Sequence, residues 1–364
     1  MRCLGLLLAL LPLAGCVRPA EGRALKDLEI GSAEGGGLSV VVEDGLAAVR
    51  GLETGALTLW SNSPVLRVRA TAMATAPEWW TLVVRNAMPD AVLKAEAGGE
   101  LLEVEDGPSL IPTVKTWRMR LRPGGEARLT VAPLDWETAQ PFRFAALADV
   151  QEALPRVEDI YARMNEDPSL RFIFFSGDLT ESGSREQLEE FQERLQTSRI
   201  PVYATLGNHE TFTMDVQYQV LVGRGSQHFI FKGVHFSMLD TANGTVDPLV
   251  EEQFDGWLAA GQEAVHVVGM HIAPMDPVGV RNGSFSSRNE AAALVGKMAR
   301  AGVDLTLYGH VHSYYAFSNG GIPAFISGGG GAIPETFDGV GRHYLAVDVD
   351  PAAGVQEVAV IRVD

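Results

Sequence analysis

The chain has 364 residues, a length that suggests two domains. With 46% hydrophobic and 21% charged residues, it has the composition of an ordinary globular protein. Its formal net charge of −17 at pH 7 argues against a basic patch that binds nucleic acid or an anionic membrane surface. A small phosphorylated substrate is not excluded, because bound metal ions can supply local positive charge.

Residues 1–16 have the features of an export signal rather than of a folded element. Arg2 precedes an apolar run over residues 4–13, which is too short to span a bilayer as a stable helix. The sequence LAGC at residues 13–16 resembles a bacterial lipobox, whose cysteine is lipidated and begins the mature protein. We therefore expect an exported bacterial lipoprotein, membrane-anchored through Cys16 and periplasmic or at the cell surface. A soluble secreted protein cut nearby is the alternative.

The cysteine content agrees with this expectation. The chain has two cysteines, Cys3 and Cys16. Cys3 would leave with the signal peptide, and Cys16 would carry the lipid. The mature fold is then expected to have no disulfide, despite an oxidising compartment. Residues 17–24 would form a short tether between the lipid and the folded protein.

Residues 25–140 show the alternation of a β-rich domain. Trp117, Met119 and Leu121 alternate with arginines, a period of two residues. The sequence PGG at residues 123–125 is typical of a hairpin turn. Several short strands separated by turn residues predict a β-sandwich of about 100 residues. The tryptophans of this region could form a carbohydrate platform, but packing in the core is the simpler interpretation.

The pattern then changes to strands that alternate with helices, which predicts an α/β (α+β) domain over residues 141–364. An apolar stripe over residues 157–164 is typical of one face of a helix. A capping box that starts at Ser184 predicts the beginning of another helix. Two further helices are predicted near residues 251–260 and 289–300, and the chain ends in strands.

Five apolar runs of this domain end in polar residues that could bind a metal. These residues are Asp149 with Gln151, Asp178, Asn208 with His209 and Glu210, His271, and His310 with His312. Because the carboxyl ends of parallel strands meet at one edge of a sheet, we expect these side chains to converge. Carboxylate, amide and imidazole groups together suit hard or borderline divalent ions. Any single one of these motifs would be ordinary turn chemistry.

Other polar features of this region have simpler interpretations. Asp240, which follows a strand, is typical of a turn or cap residue. The glycine run at residues 328–331 lacks the lysine and helix of a P-loop, which favours a close-packed turn near the site. The remaining histidines are expected to have no functional role; they are His228, His235, His266 and His343.

The order D-x-Q, G-D, G-N-H-E, H and G-H-x-H resembles the calcineurin-like metallophosphoesterase superfamily, whose usual pattern is D-x-H, G-D, G-N-H-[DE], H and G-H-x-H. The resemblance covers the chain from about Phe142 to the C-terminus. It implies a core of two sheets flanked by helices, a four-layer α/β/β/α domain that follows the N-terminal β-sandwich. It also implies a binuclear metal site.

In this resemblance, two divalent ions are bridged by Asp178. One ion would be bound by Asp149, Gln151, Asp178 and His312. The other would be bound by Asp178, Asn208, His271 and His310. A hydroxide activated by the two ions would attack the phosphorus. His209 would contact the phosphoryl oxygens or protonate the leaving oxygen, and Glu210 would orient His209.

Two departures from the usual pattern affect the expected metal. Gln151 stands where the superfamily usually has histidine, and its amide oxygen is a harder and weaker ligand than imidazole. Manganese, iron or magnesium are therefore favoured, with zinc possible. Glu181 stands where purple acid phosphatases, which also pair an N-terminal β-domain with this fold, have a tyrosine. A purple ferric site is therefore not expected.

The sequence predicts a membrane-anchored phosphoric monoester or diester hydrolase that acts on a small phosphorylated substrate, with no nucleic-acid partner. One alternative is a non-catalytic binding or scaffold lipoprotein of the same fold. Another is a phosphatase that acts on phosphoproteins of the cell envelope. The presence of Asp178, Asn208 and His209 favours catalysis over a scaffold, because a decayed site would have lost one of them. Ester class and oligomeric state are left open.

Overall fold

The computed structural model describes residues 19–213, 216–279, 283–335 and 338–363. Its mixture of helices and four β-sheets confirms the predicted fold class. Among the helices of these residues, none is long and apolar enough to cross a membrane. The predicted signal peptide and Cys16 lie outside the described residues.

The prediction of a tether over residues 17–24 is wrong for its described part. Helix α1 (Pro19–Asp27) begins there and buries Arg23 and Ala24 against the body of the protein. The Arg23 guanidinium donates to Asp240 with an Nε–Oδ2 distance of 2.6 Å. Asp27 accepts hydrogen bonds from the backbone N–H groups of Gly225 and Ser226. The helix is fixed because both buried charged groups find partners, which short-range sequence patterns do not show.

The N-terminal region folds into two β-sheets. Its strands are β1 (Ser32–Gly35), β2 (Leu38–Val42), β3 (Ala47–Glu53), β4 (Ala56–Ser61), β5 (Leu66–Ala72), β6 (Trp79–Arg85), β7 (Ala91–Ala97), β8 (Glu100–Leu101), β9 (Val104–Asp106), β10 (Val114–Arg120) and β11 (Glu126–Pro133). One sheet has the order β1-β2-β5-β11-β7-β8, and the other β3-β4-β6-β10-β9. In β5, buried and exposed residues alternate strictly, as the sequence predicts for a sheet with one face in the core.

The hairpin predicted at residues 123–125 is wrong. Strands β10 and β11 belong to different sheets, so the turn carries the chain from one sheet to the other. The alternation of apolar residues is the same for both arrangements, because each strand turns one face to the core they share. Trp80 and Trp117 are fully buried in that core, which supports the packing interpretation of the tryptophans.

The C-terminal region contains two further sheets. Its strands are β12 (Phe142–Leu147), β13 (Leu170–Ser176), β14 (Val202–Thr205), β15 (Gln227–Phe231), β16 (Val234–Leu239), β17 (His266–Met270), β18 (Leu305–Tyr308), β19 (Tyr314–Asn319), β20 (Ile322–Ser327), β21 (His343–Asp350) and β22 (Gly354–Arg362). The third sheet has the order β14-β13-β12-β21-β22, with β12, β13 and β14 parallel. The fourth has the order β15-β16-β17-β18-β20-β19, with β16, β17, β18 and β20 parallel.

Helices cover the outer faces of these two sheets. They are α2 (Glu158–Asn165), α3 (Arg185–Arg194), α4 (Tyr218–Leu221), α5 (Pro248–Ala260) and α6 (Arg288–Ala301). Apolar residues of α2 and α3 pack on the third sheet, and those of α5 and α6 pack on the fourth. Between the sheets lies an aromatic core in which Phe144 and Phe236 meet edge to face, with 5.3 Å between ring centroids. The predicted four-layer α/β/β/α arrangement is confirmed.

The N-terminal region also completes the free edge of β14, the outermost strand of the third sheet. Asn62 donates to the carbonyl of Ala204 at 3.0 Å and accepts from its N–H at 2.8 Å. Asn86 makes the same pair of bonds with Val202, at 2.6 and 2.9 Å. The two amides satisfy backbone groups that a sheet edge leaves unpaired. The N-terminal region therefore fixes the strand that delivers the Gly-Asn-His-Glu segment.

Candidate metal centre

The loops that follow the parallel strands of the third and fourth sheets meet at one end of the two sheets. His271, which follows β17, donates through Nδ1 to the carbonyl of Ser176 at the end of β13, at 2.8 Å. The backbone N–H of His310, beyond β18, donates to the Asp149 carboxylate beyond β12 at 2.9 Å. The predicted convergence is thus produced by two sheets, each of which contributes the carboxyl ends of its parallel strands.

Two groups of side chains in the described residues have the geometry to hold a metal ion. One consists of Asp178, His271 and His310, and the other of Asp149, Asp178 and His312. Within each group the potential ligand atoms lie within 4.8 Å of one another, and all of these residues are buried. Asp178 belongs to both groups, which fits a binuclear metal centre with a shared carboxylate.

The two predicted amide ligands also lie among these side chains. The Oδ1 atom of Asn208 is 3.0 Å from His271 Nε2. Gln151 is buried, and its Nε2 donates to Asp178 Oδ2 at 2.6 Å and lies 3.1 Å from His312 Nε2. Rotation of this amide by half a turn would present its oxygen to the same place.

The backbone of the site adopts left-handed conformations that ordinary residues avoid. Positive φ angles occur at Asp149 (61°), Gln151 (45°), Asp178 (58°) and His310 (70°). Such conformations cost free energy and concentrate at functional sites. The segment that carries His310 and His312 is bent, and the two histidines belong to different groups, as the resemblance implies.

The electrostatics of the site favour a bound cation. Burial raises the pKa of Asp149 to about 6, although His271 and His312 oppose the shift. Burial also acts on Asp178, but His271 and His209 outweigh it and hold the pKa of this carboxyl below its usual range. Burial disfavours a charged His271, yet Asp178 and Asp149 raise the pKa of His271 to about 9. A cation would take the place of these protons, so the donor set fits divalent metal ions.

His209 lies beside the two groups and is not a member of either. Its Nδ1–H donates to the backbone carbonyl of Glu181 at 2.7 Å. Its Nε2 atom lies 3.9 Å from Asp178 Oδ2, on the side of the metal centre. The ring is therefore held with Nε2 towards Asp178, the carboxylate that the two groups share.

The structure contradicts the role predicted for Glu210. Its buried carboxylate accepts hydrogen bonds from the N–H groups of Asp178 (3.0 Å), Thr180 (3.0 Å) and Gly207 (2.8 Å). Glu210 therefore ties the loops after β13 and β14 together and makes no hydrogen bond to His209. A buried carboxylate must find hydrogen-bond donors, and Glu210 finds them in backbone N–H groups of two loops. The sequence does not show which loops lie next to each other.

Glu181 is the residue that the sequence interpretation missed. Its carbonyl orients His209, and its carboxylate Oε2 lies 3.7 Å from His209 Nδ1. In the sequence it stands out only as the position at which a purple acid phosphatase has tyrosine. A backbone carbonyl has no signature in the sequence, so only the pairing of the two loops could show this contact.

Two further interpretations agree with the structure. Asp240 accepts from the N–H of Ala242 in a turn and pairs with Arg23. The glycine run forms a close-packed turn beside the site, where Gly330 donates to the carbonyl of Ala148 at 2.9 Å. A Cβ atom on Gly330 would lie 2.4 Å from that oxygen, so a larger residue does not fit there.

Comparison with known proteins gives one match to a family model. Residues 142–314 match the model described as calcineurin-like phosphoesterase. Similar solved structures include a dimetal phosphatase from Danio rerio, with 13% identity over 61% of this chain and 99% of that chain, at a TM-score of 0.46. A phosphatase from Mycoplasma pneumoniae shows 16% identity over 62% of this chain and 94% of that chain, at a TM-score of 0.41. No curated protein matches the chain.

Proposed function

We propose that the protein hydrolyses phosphoesters of small substrates at the cell envelope, with the domain whose residues 142–314 match the calcineurin-like phosphoesterase model. The observation that carries the proposal is the pair of buried groups that share Asp178. We assign one ion to Asp149, Gln151, Asp178 and His312. We assign the other to Asp178, Asn208, His271 and His310.

Two divalent ions in this centre would neutralise the phosphoryl charge and supply an activated water as nucleophile. The chain provides the remaining functions. His209 is held by Glu181 with Nε2 towards the centre, where it contacts a phosphoryl oxygen or gives a proton to the leaving oxygen. Glu210 keeps the loops of Asp178 and His209 in fixed register. Manganese, iron or magnesium are favoured over zinc because Gln151 offers an amide oxygen where imidazole would suit zinc better.

We further propose that Cys16 carries the lipid that anchors the protein in the membrane. Growth with radioactive palmitate tests this directly. Label that is lost on Cys16→Ser supports the anchor. Equal labelling of wild type and Cys16→Ser contradicts it.

The hydrolytic function is tested on metal-stripped protein that is reconstituted separately with Mn, Mg, Fe, Ni and Zn. Each sample is assayed on p-nitrophenyl phosphate and bis-p-nitrophenyl phosphate, beside Asp178→Asn and His209→Ala. Asp90→Asn is the matched control, because Asp90 is exposed and pairs with Arg171 at the opposite end of β13. Activity that returns with metal, is lost in the two site variants and survives in the control supports the proposal. Filled metal sites without hydrolysis of either compound would favour the non-catalytic alternative.

A further inference from the structure

The loops around the metal centre carry exposed apolar side chains. Phe212 is 61% exposed, and its ring centroid lies 4.5 Å from that of His209. Met275 is 48% exposed and follows His271 by four residues. Ile333 is 72% exposed, and its carbonyl accepts from His312 Nδ1 at 2.7 Å. We call these three residues the apolar rim. Each of the three follows or contacts a histidine of the site, so exposed apolar side chains lie on three loops beside the metal centre.

Helix α1 reaches the same edge of the molecule. Its Arg23 pairs with Asp240, which directly follows β16. Strands β16 and β17 are paired in parallel with Leu239 opposite Met270, so Asp240 is the neighbour of His271 across the sheet. Paired strands lie about 4.8 Å apart. The helix that begins the described chain is therefore fastened at the edge that carries the metal centre.

A cavity of about 450 Å³ lies between α1 and the loop that carries Phe212. Pro19 and Lys26 line one side, and Thr211 and Thr213 line the other. The Lys26 ammonium also donates to the carbonyl of Val216 at 3.0 Å, and this hydrogen bond joins α1 to the chain beyond that loop. The proposed lipid at Cys16 is three residues before Pro19, so the Cα atom of Cys16 lies at most about 11 Å from that of Pro19, which lines this cavity opposite the loop of Phe212.

From this placement we infer that the apolar rim rests on a lipid surface and that the substrate is an amphiphilic phosphoester held in that surface. The inference rests on the proposed function and narrows its substrate class. The phosphate enters the metal centre while the alkyl chain stays in the lipid. Water forms a new P–O bond, the P–O bond to the departing alcohol breaks, and the departing oxygen takes a proton.

A lipid surface fits this rim better than an acidic or basic protein partner does. The anchor and the metal centre share one face, so a membrane is the surface that the rim meets first. The net charge of −17 gives no attraction to anionic headgroups, so the contact depends on apolar side chains rather than on charge. Binding should therefore be insensitive to salt.

The experiment compares a long-chain with a short-chain substrate on the full, processed protein in phosphatidylcholine vesicles. Hexadecyl and ethyl phosphate serve if the enzyme is a monoesterase, and hexadecyl and ethyl p-nitrophenyl phosphate if it is a diesterase. The measured quantity is the ratio of kcat/KM for the long chain to that for the short chain. The rim variant is Phe212→Ser with Met275→Ser and Ile333→Ser. The matched control is Leu101→Ser with Leu110→Ser and Leu134→Ser. These three leucines belong to the N-terminal region or directly follow it, and they are 71%, 97% and 86% exposed.

We expect wild type to prefer the long chain, and the rim variant to lower the ratio by about tenfold or more, since several methylene contacts are lost. The control should leave the ratio unchanged. Because Phe212 packs on His209, the double variant Met275→Ser with Ile333→Ser is measured as well and should lower the ratio in the same direction.

A ratio that is the same in the rim and control variants overturns the inference and leaves the proposed function intact. A rim variant that changes the oligomeric mass also overturns it, since a second copy then covers the rim. Failure of wild type on both chain lengths overturns the proposed function as well.

Discussion

Strand β17 places two histidines in opposite environments only five residues apart. His266 is its first residue, and His271 directly follows its end. Both are buried, but burial with the neighbouring His235 lowers the pKa of His266 to about 3. At His271 burial acts in the same direction, and the carboxylates of Asp178 and Asp149 reverse its effect and raise the pKa to about 9. The neighbours, and not the residue type or the strand, decide what each histidine does.

The His266 end is a packed cluster of neutral imidazoles. Ser237 Oγ lies between His266 Nε2 at 2.8 Å and His228 Nδ1 at 3.0 Å. The His228 ring stacks on Trp257 with 5.7 Å between centroids. Among the described residues, the groups that could hold a metal all lie at the His271 end, where carboxylates are present. The prediction that His228, His235 and His266 serve only the structure fits this arrangement.

Substituting the two histidines of β17 in turn gives the largest expected difference. His271→Asn removes a ligand atom from the group that shares Asp178, so we expect phosphoesterase activity to fall about a hundredfold or more. Bound metal should fall towards one ion per chain. His266→Asn should keep both metal and activity, because His266 belongs to neither group of potential ligands and its Nε2 lies 2.8 Å from Ser237 Oγ. Metal content by mass spectrometry and activity on the same samples check this. Equal losses of metal and activity in the two variants would show that the two histidines do not differ in function.

The acid stability of the His266 cluster should be the next largest effect. Burial with His235 and His266 nearby lowers the pKa of His228 from 6.5 to about 3. The unfolded chain therefore takes up the proton first, and stability falls as the pH drops from about 6.5 towards 3. His228→Phe keeps a ring on Trp257 and removes this proton, so it should lessen the loss between pH 7 and pH 4 by about 2 kcal/mol.

Urea unfolding of wild type and His228→Phe at both pH values measures this change. Taking the difference between the two proteins cancels the other titrating groups, such as Asp27, whose pKa burial raises to about 7. Parallel pH dependences in the two proteins would show that the pKa of His228 is the same in the folded and the unfolded state. The contrast between the two ends of β17 would then be lost.

Glu181→Gln tests whether the carboxylate of Glu181 helps to position His209. The carbonyl that binds His209 Nδ1 remains, and only the carboxylate charge at 3.7 Å is lost. We expect kcat to fall about three- to tenfold with little change in KM, near the low end of the effect of groups behind a functional histidine. Glu189→Gln, a similarly exposed carboxylate on α3, is the control. An unchanged kcat would limit the role of Glu181 to its backbone.

Gln151→His should have the smallest effect and restores the histidine that is usual in the superfamily pattern. An imidazole suits zinc better than an amide oxygen does. We therefore expect activity with zinc to rise several-fold relative to activity with manganese, with little effect on folding. Reconstitution of both proteins with each metal measures the ratio. An unchanged order of metals would mean that Gln151 does not set the metal preference.

The sequence predicted most of the C-terminal fold because its patterns are local. The stripe on α2 and the cap at Ser184, whose hydroxyl accepts from Gln187, depend on residues within four positions of one another. The predictions of a tether and of a hairpin were wrong for the opposite reason. Helix α1 is fixed by Arg23 and Asp240, which lie 217 positions apart. The turn at residues 123–125 has the same local pattern whether it joins one sheet or two.

The chemical character of the site was determined by the sequence, because strand ends place carboxylates, amides and histidines in a fixed order along the chain. Which of them meet was decided only by the tertiary structure. Asp178 is shared by two groups, Glu210 turns to backbone N–H donors, and the carbonyl of Glu181 orients His209. The physical reason is that ligand geometry and local charge depend on distances between loops from different strands. A buried histidine becomes a candidate ligand or a neutral packing residue according to those distances alone.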